Sequence, residues 1–336
     1  MKKYKLINFC EFDKYAVQSY CAIHNTDENL NLGDITKVNI SKLPKVDFIT
    51  HGSPCQDFSI AGLQLGGDEN TQTRSSLMWN SVEIIKHCKP NFVIWENVKN
   101  VLSKKHVHNF EKYITQMKDV GYNSYWKILN AKDYGIPQNR ERIFCISIKQ
   151  DIDCGFEFPP YIKMPNVFKF FKEKTDEKYY LNSNDIYRLF SPKSYDFNEY
   201  QEYSIADFRY DEGIRIRKED ICPCLTCKVG GSSLSATPYI INHKDKTVRN
   251  IDLEECFKIM GFDKQDYINT INGGSPISQI YKQTGNSIVV NVIFEIYKQL
   301  QKYYPNYFEN MKMISLFSGI GAFEKALDRL YEYINS

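Results

Sequence analysis

The chain has 336 residues, of which 42% are hydrophobic and 25% charged, and this composition excludes a disordered or fibrous protein. Its 43 Lys and Arg nearly balance 41 Asp and Glu, so the net charge of +2 gives no sign of a nucleic-acid partner and does not exclude one. No apolar run reaches the roughly 18 residues of a membrane span. The ten scattered cysteines favour a reducing cytoplasm over secretion.

Strands alternate with helices over the first 150 residues. The predicted strands are 5–10, 46–50, 91–95, 124–130 and 142–148. The predicted helices are 13–24, 77–87 and 110–120. This alternation predicts an α/β fold in which a mainly parallel sheet carries helices on both faces. Ligands of such sheets bind at the carboxyl ends of the strands.

The alternation stops near Asp151, where a stretch rich in aromatic residues and irregular in hydrophobicity begins. Helical periodicity returns at 251–260 and 287–297. We therefore predict a separate small domain or a large insertion over about 151–245.

The last segment has a pattern that usually opens a nucleotide-binding sheet. An apolar strand pattern at 311–317 leads into the turn Ser318-Gly319-Ile320-Gly321, and amphipathic helical spacing follows at 322–333. The turn lacks the third glycine of the dinucleotide fingerprint and the Gly-Lys-Ser/Thr of a phosphate loop. Glu11, which follows another strand, would suit ribose hydroxyls, and Phe12 offers a stacking face.

Four polar side chains border the predicted strands. Cys55 follows the strand 46–50 in a Gly/Pro-shaped turn, where a thiol can act as a nucleophile, although a Pro-Cys pair taken alone favours an inert, partly buried cysteine. Glu96 ends the next strand and can hold a substrate ring or donate a proton; a structural glutamate at a helix start is the alternative. Arg140 and Arg142 would share one face of a strand, either at a site or in surface charge pairs.

Cys222, Cys224 and Cys227 lie close together, with His243 as the nearest further candidate for a metal ligand. A structural zinc site normally takes four ligands in two spaced pairs, and this arrangement lacks the second pair. We therefore predict no metal.

Together these pieces resemble the cytosine-C5 DNA methyltransferase family. The segments that carry the resemblance are C-E-F-D at 10–13, G-D-I-T at 33–36, G-S-P-C-Q-D-F-S at 52–59, T-R-S-S-L at 73–77, E-N-V at 96–98, Q-N-R-E-R-I-F at 138–144, Q-T-G-N-S at 283–287 and L-F-S-G-I-G-A-F-E at 316–324. The last of these normally comes first in the family, so the resemblance implies a circular permutation, with both termini between the first helix and the second strand. The implied fold is a Rossmann-like methyltransferase sheet in a discontinuous catalytic and cofactor-binding domain of residues 1–150 and 276–336. A smaller target-recognition domain is implied at 151–275.

The resemblance also implies catalytic roles. Cys55 would attack C6 of a cytosine flipped out of duplex DNA, and Glu96 would hold its N3 and exocyclic amine. Arg140 and Arg142 would lie near the cytosine, with Arg142 on O2. The loop 56–74 would close over the flipped base.

The implied cofactor is S-adenosylmethionine, which leaves as S-adenosylhomocysteine. Its expected pocket is lined by Phe317, Ser318, Gly319, Ile320, Gly321, Glu11, Phe12, Asp34, Ile35, Pro54, Leu77, Asn286 and Ser287. Glu11 would take the ribose hydroxyls, Phe12 and Ile35 would flank the adenine, and Asp34 would bind its amine.

The implied partner is double-stranded DNA, in a restriction–modification, orphan or phage setting in the bacterial cytoplasm. We expect a monomer that uses its own glycine segment, with a tail-swapped dimer as the alternative. In the recognition region, Pro223-Cys224-Leu225-Thr226 resembles a P-T-L-T pattern, and the glycine loop 228–233 is either a DNA contact or an ordinary turn. An RNA-directed member of the family and a catalytically silent DNA-binding subunit are the rival hypotheses.

Overall fold

The structure, a computed structural model, describes residues 4–55, 58, 66–69, 73–190 and 202–336. Its contacts divide the chain into two compact units. The first unit takes its described residues from 1–130, 141–160 and 292–336, and the second from 131–140 and 161–291. The predicted domain boundaries differ from this division at 131–140, 151–160 and 276–291.

The strands of the described residues are β1 (Tyr4–Cys10), β2 (Phe48–His51), β3 (Phe92–Val98), β4 (Tyr122–Asn130), β5 (Gln138–Asn139), β6 (Glu141–Lys149), β7 (Tyr203–Arg209), β8 (Gly213–Ile216), β9 (Cys222–Pro223), β10 (Tyr239–Asn242), β11 (Thr247–Asn250) and β12 (Met311–Leu316). The helices are α1 (Lys14–His24), α2 (Met78–Cys88), α3 (Val107–Asp119), α4 (Ser183–Phe190), α5 (Leu253–Ile259), α6 (Lys264–Asn272), α7 (Ile277–Asn286), α8 (Val290–Tyr303) and α9 (Ala322–Asn335). None of these helices is long and apolar enough to cross a membrane.

The first unit is built on a six-stranded sheet in the order β1-β12-β2-β3-β6-β4. The first four strands of this order run parallel, and β6 is antiparallel to both β3 and β4. The predicted α/β class with a parallel-rich sheet is confirmed. The strand β12, from the end of the chain, lies in the interior of the sheet between β1 and β2.

Both faces of this sheet are covered, which explains why most side chains of its central strands are buried and mainly apolar. Successive side chains of a strand point to opposite faces. Ile49 of β2 joins the core formed with α2 and α3, whereas the neighbouring Phe48 contacts Tyr297 of α8, with 5.6 Å between ring centroids. α9 follows β12 and buries Leu327 and Leu330.

Four parallel strands end in one row, because the registers pair Cys10 with Leu316, Leu316 with His51, and His51 with Trp95. The residues that follow this row are Glu11, the glycine turn after Leu316, the loop to Cys55, and Glu96. The sheet therefore presents the predicted nucleophile, the predicted carboxylates and the glycine turn at one edge.

The second unit contains an antiparallel sheet of four strands, β11-β10-β7-β8, and a two-stranded parallel pair of β5 with β9. Leu189 of α4 packs on the larger sheet together with Ala206, Tyr239 and Ile241. Apart from β5, these strands fall in the stretch that the sequence analysis described as irregular. Most of them are four residues or shorter. Such short strands give little alternation of apolar and polar residues.

Candidate active site

The loop from β2 to Cys55 is tied to the end of β3. The Trp95 Nε1 donates a hydrogen bond to Ser53 Oγ at 3.0 Å, and Asn97 Nδ2 lies 3.2 Å from both Ser53 O and Oγ. Ser75 Oγ donates to Pro54 O at 2.9 Å from the other side. Cys55 itself is half-buried. The predicted nucleophile therefore sits on an anchored turn, next to the strand that carries Glu96.

Glu96 forms an ion pair with Arg142, with 3.2 Å between Arg142 Nε and Glu96 Oε1. The Arg142 side chain is 17% exposed and the Glu96 side chain 10% exposed. Attraction to the guanidinium therefore offsets the free-energy cost of removing the carboxylate from water. The antiparallel register pairs Val98 with Arg142 and so brings this arginine to the end of β3.

Arg140 has different partners from Arg142, because the strand is interrupted between β5 and β6 at this residue. Its guanidinium donates hydrogen bonds to the carbonyl oxygens of Leu225, Gly285 and Ser287, at 2.7, 3.0 and 2.6 Å. All of these residues belong to the second unit, whereas Glu96 and Arg142 belong to the first.

The glycine turn after β12 is bound to the end of β1. The Gly319 backbone N–H donates to Glu11 Oε2 at 2.9 Å, and Ser318 N donates to Cys10 O at 3.1 Å. Phe317, Gly319 and Gly321 all have positive φ angles, of 54°, 55° and 81°. The turn therefore needs glycine at two of its positions and stores backbone strain at Phe317.

Burial raises the pKa of Glu11, and the backbone N–H groups of Asp13 and Gly319 counteract this by bonding to its carboxylate. Phe12 beside it is 78% exposed. Hydrogen bonds from the hydroxyl and the backbone N–H of Thr36 lower the pKa of Asp34, and Ile35 is buried in the core.

Two residues of this neighbourhood were missed by the sequence analysis. The Asn31 amide accepts hydrogen bonds from Glu11 N and Gly33 N and donates to Glu11 O, all at 3.0 Å, and so joins the C-E-F-D turn to the G-D-I-T turn. His24 Nε2 lies 3.1 Å from Ile320 O and so contacts the backbone of the glycine turn. Neither residue belongs to a recognisable motif, so no sequence signal pointed to them.

The remaining predicted pocket residues divide between the units. Pro54 and Leu77 are half-buried in the first unit. Asn286 is exposed at the end of α7 and Ser287 is buried, both in the second unit. Most of the predicted lid, 56–74, lies outside the described residues.

Comparisons with known proteins agree with the motif resemblance. The family model for the C-5 cytosine-specific DNA methylase matches residues 1–302. The chain is 36% identical over 275 residues to the type II methyltransferase M2.ScrFI of Lactococcus lactis subsp. cremoris, covering 82% of this chain and 72% of that protein. It is 31% identical over 287 residues to the type II methyltransferase M.HhaI of Haemophilus parahaemolyticus, covering 84% and 83%.

The fold is similar to the crystal structure of the S. pombe Dnmt2 methyltransferase, with a TM-score of 0.63 and 16% identity, over 90% of this chain and 92% of that one. The family predicted from the motifs is therefore confirmed. The chain belongs to the C-5 cytosine-specific DNA methylase family and is a DNA (cytosine-5-)-methyltransferase.

Proposed function

We propose that the protein methylates C5 of a cytosine in a specific duplex DNA sequence through a covalent adduct on Cys55. The observation that carries this proposal is the anchoring of the Cys55 turn to β3 on both sides of Glu96, through Trp95 and Asn97. A fixed thiol beside a fixed carboxylate is the arrangement that nucleophilic addition to a ring requires.

In the proposed reaction, the Cys55 thiolate forms a bond to C6 of the cytosine, and C5 gains carbanion character. Glu96 accepts a hydrogen bond from the exocyclic amine and shares a proton with N3, which offsets the negative charge that builds up on the ring. Arg142 keeps the Glu96 carboxyl oriented through their ion pair. S-adenosylmethionine, when bound, supplies the electrophilic methyl group that C5 takes. Loss of the C5 proton to a base then allows the C6–S bond to break, which returns the thiolate.

The glycine turn fits the adenosine part of such a cofactor. Apart from its chain neighbours, no atom of the described residues lies within 4 Å of the place where a Cβ of Gly319 would project. The Glu11 carboxylate accepts the backbone N–H groups of Asp13 and Gly319, one on each oxygen, and a carboxylate has about four lone-pair sites, which leaves room for ribose hydroxyls. The exposed Phe12 ring is available for stacking on the adenine. Asp34, Ile35, Pro54 and Leu77 are proposed to line the rest of this pocket in the first unit. Asn286 and Ser287, in the second unit, stay predictions from the family resemblance.

The target base must leave the duplex before Cys55 can reach it, at a cost of a few kcal/mol. We assign target recognition to the second unit and closure over the base to the loop 56–74. The bacterial and phage methyltransferases among the relatives support a cytoplasmic modification enzyme, either paired with a restriction enzyme or alone.

We further propose that the element order is a circular permutation within one chain. The strand β12 fills the place between β1 and β2 in parallel register, and the family match ends at residue 302, before the glycine turn begins. If gel filtration showed that only a dimer binds the cofactor, the tail-swapped alternative would replace this proposal.

Trapping with DNA that carries 5-fluorocytosine tests the mechanism, because fluorine at C5 cannot leave as a proton and the adduct accumulates. We expect a denaturation-resistant protein–DNA complex with the wild type and none with Cys55→Ser. The absence of a wild-type adduct, or an adduct that persists in Cys55→Ser, would overturn the mechanism. Methyl transfer to transfer RNA but not to duplex DNA would support the rival hypothesis, an RNA-directed member of the family.

A further inference from the structure

Two side chains of the Q-N-R-E-R motif form hydrogen bonds to the backbone of a single residue, Leu225. Gln138 Oε1 accepts a hydrogen bond from Leu225 N at 3.1 Å, and Arg140 Nη1 donates to Leu225 O at 2.7 Å. Gln138 and Arg140 are alternate residues, so their side chains can leave the backbone on the same side. Together they satisfy both backbone groups of Leu225, as a neighbouring strand would.

The other amino group of Arg140 holds a second segment. Its Nη2 donates to Gly285 O at 3.0 Å and to Ser287 O at 2.6 Å, where α7 ends. One guanidinium thus joins two stretches that are far apart in the chain. A planar fork of several donors suits this task, and the single ammonium of a lysine does not.

Gln138, Arg140 and Leu225 are buried, whereas the residues that follow Leu225 in the chain are exposed. Gln138 and Arg140 are 0% and 4% exposed, and Leu225 is 2% exposed. Thr226, Cys227 and Lys228 directly after it are exposed. Three consecutive exposed residues therefore extend from a backbone position that two buried side chains fix.

The same exposed segment also lies against α7. A Cβ added to Gly285 would lie 2.0 Å from Thr226 O and 2.7 Å from Cys227 N, so only glycine allows this approach. The segment 226–228 is thus held by Leu225 at its start and by the backbone of Gly285 along its side.

We propose that Arg140 and Gln138 are positioning residues that hold segment 226–228 in the shape that reads the target DNA sequence. This assignment replaces contact with the cytosine as the role of Arg140, and it rests on the proposed function of the second unit in target recognition. Its specific consequence is that these buried residues determine which sequence is methylated, without contacting a base.

The test compares Arg140→Lys and Gln138→Met with the matched control Arg142→Lys. The target of the wild type is first identified by bisulfite sequencing of DNA from expressing cells. Initial methylation rates are then measured on duplexes that carry this target and on duplexes with one changed base pair. We expect Arg140→Lys and Gln138→Met to lower the preference for the true target by about tenfold, the range of one mismatched base pair. Arg142→Lys is expected to slow methylation of both duplexes alike.

Hydrogen exchange of the 222–229 backbone gives a readout that does not depend on activity. We expect the Leu225 amide to exchange faster in Arg140→Lys and Gln138→Met, and at the wild-type rate in Arg142→Lys. If Arg140→Lys does not fold, Gln138→Met decides the question, because Met keeps the length of Gln and removes both its donor and its acceptor.

An unchanged preference together with unchanged exchange in Gln138→Met would overturn the proposal. So would an Arg140→Lys enzyme that is slowed on all duplexes equally, as the Arg142 variant is. A wild-type enzyme that methylates no duplex DNA would instead overturn the proposed function, so the two failures are distinguishable.

Discussion

Gly321 lies directly over the imidazole of His24, at the turn where β12 passes into α9. A Cβ added to Gly321 would lie 2.0 Å from His24 Nε2, and the same nitrogen bonds Ile320 O. Gly319 has a similarly positive φ but has open space around its missing side chain. Alanine substitutions at the two positions therefore separate the free-energy cost of backbone strain from that of a steric clash.

We expect Gly321→Ala to lower the free energy of unfolding more than Gly319→Ala does. Both variants lose about 1 kcal/mol through the positive φ, and Gly321→Ala loses about 1–3 kcal/mol more through the clash. Thermal unfolding without cofactor measures the difference. Adding His24→Ala to Gly321→Ala should recover part of the loss, and no recovery would contradict the clash.

His51 ends β2 wholly buried, with its Nε2 3.1 Å from the Tyr113 hydroxyl. Burial lowers the pKa of His51 from 6.5 to about 3. Because the unfolded chain takes up this proton at a higher pH than the folded chain does, this residue makes stability fall as the pH drops from 6.5 towards 3.

We expect His51→Gln to be less stable at neutral pH and to lose stability less steeply on acidification. The wild type should lose up to about 1.4 kcal/mol per pH unit more than the variant between pH 6 and 4. Urea unfolding at a series of pH values provides the measurement. Parallel profiles of unfolding free energy against pH for the two proteins would show that His51 does not cause this loss of stability.

At the scale of elements, β12 is an interior strand, and both of its neighbours depend on it. It pairs with β1 over Tyr4 to Cys10 and with β2 over Phe48 to His51. Without it, these strands would face each other across a gap with unpaired backbone groups, which are costly to bury.

We therefore expect a chain that lacks residues 311–336 to lose cooperative unfolding and cofactor binding together. The matched control lacks only 334–336, which are exposed beyond the last buried residue, Tyr331. This control should unfold like the full chain. Circular dichroism during urea unfolding and isothermal titration with S-adenosylmethionine report the two properties, and a cooperative transition in the longer truncation would contradict the assigned place of β12.

The first sheet could be predicted from the sequence and much of the second unit could not. The pattern Phe-Val-Ile-Trp at 92–95 is wholly apolar because both faces of the sheet are covered, so this strand can be recognised without knowledge of its neighbours. The short strands β8 and β11 carry no such run, and the run in β10 is only three residues long. The roles of Asn31 and His24 could not be predicted either. Their side chains bond backbone oxygens of Glu11 and Ile320, which come close to them only when the chain is folded.

A sequence motif identifies residue types, but the partners of each side chain in the fold decide what it does. Arg140 and Arg142 look equivalent in the sequence, two positions apart. The break in the strand at Arg140 directs one guanidinium to backbone carbonyls and leaves the other on Glu96. The proposed catalytic and cofactor roles remain predictions from the family, supported by this geometry.

At the scale of the whole molecule, the order of elements can be changed without changing their arrangement. The last turns of α9 lie close to the start of β1, because Tyr4 OH donates to Asp328 Oδ1 at 3.2 Å and the Tyr4 and Tyr331 rings stack at 5.7 Å. A short linker could therefore join residue 336 to the segment before Tyr4.

We expect a rearranged chain, in which 311–336 precede the rest through such a linker, to keep the melting temperature within a few degrees and the same DNA target. Thermal unfolding and bisulfite sequencing of the rearranged enzyme measure these. A folded product with a changed target, or failure to fold with several linker lengths, would show that the order itself matters.

The interior place of β12 also has a consequence for synthesis on the ribosome. The strands β1 and β2 leave the exit tunnel early, but the strand that belongs between them is translated only after residue 310. Until then the nascent chain carries two unpaired strand edges and an unformed glycine turn, so chaperone binding or aggregation competes with folding throughout elongation. The same delay keeps the proposed cofactor turn from forming until residue 321 has been translated.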